Sequence, residues 1–370
     1  MLRCPALRLS TATAGDATPA FRKWVVRTLT NDFRRAAALE AAAAIAAASL
    51  KPTEVVVRHA FAGVNASDVN FTAGKYRPGV QPPFDCGFEG AGTVVAVGSG
   101  VSDVVVGAAV VTQAMGAFAE YQTVPRRSLR VLPAGAAPKP EYLALELSGT
   151  TASIALEHAV AGQPIRQGEV ALVTAAAGGT GQFAVQLLKK RYGCHVVATC
   201  GGAAKAAFLR ELGCCDRVID HTAEDVRTIL RTEYSNKLGV VYESVGGAMF
   251  DAALESLGMR GRIIVVGAMS GYKDGTAWAG GSNSNAADSS HAPVPLATTL
   301  IAKSASVNGF FLFHHAKHIA RHAMALQAMV DDGSLVSKVD PTEFRGVAAV
   351  ADAVEHLHAG RNIGKVVVQF

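Results

Sequence analysis

The chemistry-bearing stretch of this chain is VTAAAGGTGQF at 173–183, in which Ala175, Gly178 and Gly181 stand three apart at the end of an apolar, β-prone run. Small residues at that spacing let the backbone approach a pyrophosphate where a helix begins, because the free N–H groups of a helix N-terminus attract anions. Behind the glycines, Phe183, Val185, Leu187 and Leu188 give the following segment an apolar face. The pattern reads as strand, tight turn, helix. A second strand over 194–199 follows at the interval a strand–helix–strand unit requires, which strengthens a dinucleotide reading over an ordinary turn.

The end of that second strand carries Thr199, Cys200, Gly201 and Gly202, and the first charge after it is Lys205. A site for NAD usually places a carboxylate there, about 20 residues past the glycines, to hold the ribose 2′-hydroxyl. A lysine over a neutral glycine turn instead attracts a 2′-phosphate. The expected cofactor is therefore NADPH.

The elements around this unit set the fold. With 370 residues the chain exceeds what one hydrophobic core usually organises, so two domains are expected. Half the residues are hydrophobic and 18% are charged, which fits an α/β globular protein and excludes a disordered one. Strand-like runs at 24–29, 54–58, 92–97, 108–111 and 119–124, separated by Gly, Pro and Ser turns, predict an irregular β domain. Residues 34–49 are alanine-rich; propensity favours a helix there, while the neighbouring β pattern favours a strand and loop. From residue 141 the pattern becomes helix and then strand–helix units, with further strands at 217–219, 239–244, 262–266 and 305–311. Six strands with helices in four connections predict a doubly wound parallel sheet whose ligand lies beyond the strand C-termini. A long polar loop is expected over 273–295, then helices at 314–330 and 347–358 and a closing strand at 365–369 that returns to the first domain.

The net charge of +5 is spread without a basic stripe, so nucleic acid is not the expected partner, and no apolar run reaches membrane-spanning length. Six cysteines without a CxxC pair are read as reduced thiols of a cytoplasmic protein, with mitochondrial or peroxisome-like compartments as alternatives. The first 23 residues, rich in Arg, Ser, Thr and Ala with Asp16 as their one acid, fit either a presequence or a frayed terminus. His314, His315, His318 and His322 recur at helical spacing and read as a solvated helix face, with no metal expected.

Five segments carry a resemblance: GVNASDVN at 63–70, PPFDCGFEG at 82–90, VTAAAGGTGQF at 173–183, YESVGGAMFD at 242–251 and SASVNGFFL at 304–312. From about residue 24 onward the chain resembles the zinc-free quinone oxidoreductase branch of the medium-chain dehydrogenase/reductase superfamily, and within it most the prostaglandin reductase 3 type. The resemblance implies a Rossmann domain at 146–313 inserted into a GroES-like irregular β-barrel domain at 23–145 and 314–370, after a flexible extension at 1–22. It implies NADPH held by Gly178, Thr180, Gly181, Gly201, Lys205, His221, Ser244, Val266, Tyr272, Phe310, Phe311, Leu312 and Asn362, with His221 where the family usually has tyrosine. The places of catalytic zinc ligands in zinc-dependent relatives read Val64-Asn65 and Gly87-Phe88-Glu89 here, so no metal is expected. Glu89 and Asp68 are read as structural partners of local backbone or arginine.

The reaction implied is reduction by NADPH of activated carbon–carbon double bonds in α,β-unsaturated ketones and aldehydes such as 15-oxo-prostaglandins. Asn65 and Tyr76 are the candidate donors to the developing oxyanion, with Tyr76 also a candidate proton donor. Quinone reduction and a non-catalytic NADPH-binding role are the alternatives. A small-molecule enone or quinone substrate and a homodimer complete the expectation.

Overall fold

The structure is a computed structural model that describes residues 18–160, 162–278 and 294–370. The presequence-like stretch thus lies almost wholly outside the described residues, as does most of the polar loop at 273–295. A six-stranded, all-parallel sheet holds the second half of the chain. Its spatial order is Arg217–Asp220, His195–Cys200, Val170–Val173, Leu238–Glu243, Leu257–Val265 and Ser306–Gly309. Strands so deep must be apolar on both faces. Ala171, Leu172, Val173, Val240, Val241 and Tyr242 are accordingly sealed from solvent.

After Val170–Val173 the chain builds outward on one side, then crosses back to place Leu238–Glu243 on the other side of it. That reversal opens a crevice above the C-terminal ends of the two strands, where ligands of doubly wound sheets bind. Helices fill all five connections rather than four, because Leu296–Lys303 forms in the stretch after the polar loop.

The first half forms a seven-stranded sheet. Phe344–Arg345, Val367–Gln369, Glu54–Gly63, Glu89–Val97, Ala109–Gln113 and Leu129–Val131 follow one another, and Tyr121–Pro125 pairs with Glu54–Gly63. Closure depends on the end of the chain. Val367 and Val368 pair antiparallel with Gly63 and Ala62.

The alanine-rich segment resolves into both options weighed above. Asp32 accepts from the Arg35 N–H at 3.2 Å and caps a single helical turn, Phe33–Ala36, after which Ala37–Ala42 runs as a strand against Phe21–Val26. A short alanine helix is marginal on its own. A paired edge whose neighbours pack Phe33 against Trp24, ring centroids 5.3 Å apart, supplies contacts that propensity does not count.

Two further readings are corrected. Helix Ala316–Asp331 does not return directly to the β domain; it packs on helix Thr150–His158 and the π-helical turn Leu145–Gly149, and the chain reaches the seven-stranded sheet at Phe344. Nor is the histidine face of that helix uniformly solvated. His322 is buried, with Nδ1 2.7 Å from the Ser153 hydroxyl, because the face meets a second helix rather than water.

Candidate active site

The glycine turn begins where Val173 leaves the sheet. Ala175 takes a left-handed backbone (φ 47°), its carbonyl accepts from the Gly178 N–H at 3.0 Å, and helix Gly181–Lys190 starts at once. A Cβ on Gly181 would lie 2.5 Å from the Ala175 carbonyl oxygen and 2.7 Å from the Ala176 Cα. Only glycine lets the helix begin this close to the strand, with its first N–H groups turned to the crevice.

A groove of about 520 Å³ runs over this turn. It brings together Gly178 and Thr180 from the turn, Gly201, Lys205 and His221 from the neighbouring strand ends, and Asn65 and Asn362 from the other half of the molecule. Gly181 does not line it; its role is to set the helix.

At the adenosine-type end the nearby carboxylate is turned away. Asp220 Oδ1 accepts from the N–H groups of Gly202 at 2.7 Å and Thr222 at 3.0 Å and from the Thr222 hydroxyl at 2.8 Å. The Gly202 bond, followed by those from Thr222, lowers its pKa and keeps it charged but internally satisfied. Lys205 is partly buried in the first turn of helix Ala203–Glu211, and its Nζ donates to the Gly360 carbonyl at 2.8 Å. Desolvation lowers its pKa, the usual cost of holding an ammonium near apolar atoms without a full anionic partner. The His221 ring rests on Gly201, where a Cβ would come within 2.8 Å of Nε2. An ammonium, an imidazole and a side-chain-free turn together make a place for a phosphate.

A second cavity of about 160 Å³ adjoins the first, and Asn65, Ala66, Thr180 and Met269 border both. It holds the remaining expected residues: Tyr76, Ser244, Val266, Tyr272, Phe310, Phe311 and Leu312, joined by Phe88 and Phe313. The Tyr76 ring lies 5.4 Å from Phe311, 5.6 Å from Trp278 and 6.5 Å from Phe88. Its hydroxyl accepts weakly from Asn70 Nδ2 at 3.4 Å and lies near that of Tyr272. Burial raises both phenols above the ordinary tyrosine range, so each keeps its proton at neutral pH. The hydroxyls of Ser244 beside this slot and Thr199 beside the groove are buried without a partner. Orphaned donors cost stability unless something polar meets them. These features fit a dinucleotide along the groove.

Beneath the junction lies a buried ionic network. Lys365 Nζ donates to Asn65 Oδ1 at 2.6 Å and to Glu89 Oε1; Asn65 Nδ2 donates to Glu89 Oε1 at 3.0 Å and to the Gly63 carbonyl at 3.4 Å. Glu89 Oε2 accepts from the Leu147 N–H at 3.0 Å, which ties the β sheet to the helical turn between the halves. The partner of Glu89 is thus a lysine from the far end of the chain, not an arginine. Both amide hydrogens of Asn65 are engaged within the protein, so the donors facing the slot are hydroxyls, the phenols of Tyr76 and Tyr272 and the unpartnered Ser244 among them. Asp68 accepts from the Asn65 N–H at 2.7 Å, and burial pushes its carboxyl up to about 8. This floor is a poor metal site: Phe88 has no donor atom, Glu89 is neutralised, and the Lys365 ammonium would repel a cation.

Lys365 and Phe313 were not singled out from the sequence, and Phe88 was read only as a residue unable to ligate zinc. Only Lys365 leaves a trace there, as the one charge opening the apolar closing run KVVV at 365–368.

Residues 51–134 match the family model described as alcohol dehydrogenase GroES-like domain, and residues 179–328 match zinc-binding dehydrogenase. The chain is 45% identical over 366 residues to prostaglandin reductase-3 of Bos taurus, covering 96% of this chain and 91% of that one. It is 42% identical over 349 residues to a probable quinone oxidoreductase of Leishmania amazonensis, covering 94% and 98%. Among solved structures, a quinone oxidoreductase of Pseudomonas syringae superposes with a TM-score of 0.75 at 27% identity, over 95% of this chain and all of that one. A mycobacterial protein complexed with NADPH gives a TM-score of 0.75 at 26% identity, over 95% and 100%.

Proposed function

The chain belongs to the medium-chain dehydrogenase/reductase superfamily and is an NADPH-dependent oxidoreductase of small molecules, and we propose that its substrates carry a carbon–carbon double bond conjugated to a carbonyl. Enones and enals of the 15-oxo-prostaglandin kind belong to this class. The observation that carries the reading is the pair of phenols, partly buried Tyr76 and buried Tyr272, both held protonated at an aromatic slot adjoining the glycine-turn groove.

NADPH, when bound, supplies the hydride. We assign its phosphates to the glycine turn around Gly178 and Thr180, its 2′-phosphate to Lys205 and His221 over Gly201, and its nicotinamide end to Ser244, Val266, Tyr272, residues 310–312 and Asn362. Reduction at the β-carbon of an enone leaves negative charge on the carbonyl oxygen and calls for a proton at the α-carbon. A phenol whose pKa burial has raised donates a hydrogen bond without itself ionising, the requirement for stabilising an oxyanion in a dry slot. Tyr76 takes that role with the Tyr272 hydroxyl beside it, and water supplies the proton that reaches the α-carbon and completes the saturated ketone. Asn65, held by Lys365 and Glu89, shapes the boundary between groove and slot. Phe88, Phe311 and Phe313 exclude water and favour flat, conjugated substrates.

Quinone reduction is the second reading, favoured by the relatives of that name and by the small, planar slot. Purified protein mixed with NADPH and a panel of enones, enals and quinones separates the two, because a saturated ketone and a hydroquinone are distinct products. No NADPH oxidation above background with any of them would remove both. Within the first reading, Tyr76→Phe lowers kcat on an enone by at least roughly tenfold while the Kd for NADPH stays unchanged. Equal kcat in the variant would assign the donor role elsewhere.

A further inference from the structure

The histidine run at 314–322 has no part in the cleft chemistry, yet the fold gathers three of its members against a fifth imidazole. His158, at the end of helix Thr150–His158, stacks on His318 with ring centroids 4.1 Å apart and lies 6.0 Å from His322; His318 and His322, one helical turn apart, are separated by 6.5 Å. The Glu157 carboxylate sits among them, 3.5 Å from His158 Nε2 and 3.9 Å from His322 Nε2. One ligand atom from each of Glu157, His158 and His322 falls within 4.8 Å of the other two.

We propose that Glu157, His158 and His322, with His318 as fourth ligand, bind one divalent transition-metal ion of borderline softness at the junction of helices Thr150–His158 and Ala316–Asp331. Imidazole nitrogen with one carboxylate suits zinc, nickel or cobalt, and not calcium or magnesium, which take oxygen. Bonds of about 2.1 Å to a tetrahedral ion place donor atoms about 3.4 Å apart, close to the 3.5 and 3.9 Å that already separate the Glu157 oxygens from His158 Nε2 and His322 Nε2.

His322 is already set in the ligating state. A guanidinium has only donors, so the 3.0 Å approach of the Arg321 head to His322 Nε2 identifies that nitrogen as a bare acceptor facing the cluster. The proton is then on Nδ1, donated to the Ser153 hydroxyl, the kind of outer hydrogen bond that orients a metal-bound histidine.

The opposing charge is Arg321, which also bonds Glu157 at 2.6 Å; Arg191 holds the other carboxylate oxygen at 2.8 Å. Arg321 is 61% exposed, and exposed ion pairs contribute only about 0–1 kcal/mol. An incoming cation therefore turns the Arg321 head into solvent and takes its place. Arg321 is the competitor of the site, and its removal strengthens binding.

Calorimetric titration of tag-free, full-length protein with zinc chloride tests this, with cobalt(II) absorption as a second probe. The expected result is one equivalent of zinc bound, weakened at least roughly tenfold in His158→Ala and in His318→Ala. Arg321→Gln is expected to bind roughly threefold more tightly, the factor matching loss of a surface pair. NADPH-dependent turnover of the two histidine variants stays at the parental level, which separates this outcome from any failure of the proposed reaction. Absence of zinc binding, binding that survives His158→Ala, or a cobalt spectrum with a thiolate charge-transfer band, which would assign the ion to cysteines, each overturns the proposal.

Discussion

His59 shows how a single buried side chain makes the fold sensitive to acid. Its Nδ1 lies 2.9 Å from the Ala119 carbonyl, Nε2 has no partner, and the ring is packed so closely on Gly90 that a Cβ there would lie 2.6 Å away. Burial lowers its pKa from 6.5 to about 4, so below 6.5 the unfolded chain binds a proton that the folded chain refuses. Stability contributed by the neutral ring is whole above pH 6.5 and is lost as pH falls toward 4, by roughly 3 kcal/mol for this group. Urea titrations at pH 7 and pH 4 are expected to show that loss in the parent and a smaller one in His59→Gln; equal losses would clear this residue. Asn65 carries a different lesson. Asn65 was named from the sequence as a candidate donor, but the lysine that fixes its amide stands 300 residues away in the chain, and no local spacing announces such a pair.

Strand, turn and helix at 170–190 behave as one piece, and Gly181 is the joint. Alanine there brings a methyl group to 2.5 Å from the Ala175 oxygen and forces the helix back from the strand. Gly181→Ala is expected to weaken NADPH binding by at least roughly tenfold in a fluorescence titration, with a lower Tm, because the helix N-terminus no longer faces the phosphates. Parental affinity in that variant would mean that the turn tolerates a wider gap. The parallel strands and this turn were legible in the sequence because each is set by its own residues: apolar runs of four to six flanked by glycine. The alanine-rich segment was not, since Ala37–Ala42 is a strand only by virtue of pairing Leu39 with Trp24, a long-range contact that overrides composition. The five helices of the parallel sheet follow the same division. Leu296–Lys303 was overlooked because it is short and no capping side chain announces its start after the polar loop.

In the whole molecule, two sheets are coupled through one seam. Glu89 reaches across to the Leu147 N–H, Lys365 holds Glu89, and two residues later the chain enters the seven-stranded sheet beside Gly63. Removal of residues 367–370 strips out strand Val367–Gln369, burial of Val367 and Val368 included, at a cost on the order of 4 kcal/mol. The truncated protein is expected to unfold at lower urea and to lose NADPH binding together with the sheet. Retention of full affinity would show the parallel sheet to be self-sufficient as a cofactor module. The strand at 367–369 has a temporal meaning as well. During synthesis the ribosome delivers residues 54–63 long before their neighbours at 367–369, so the nascent β half waits with a vacant edge while the parallel sheet is being made. The ionic floor, which needs Lys365, is therefore among the last parts of the protein to take shape, and a chain released early emerges without it.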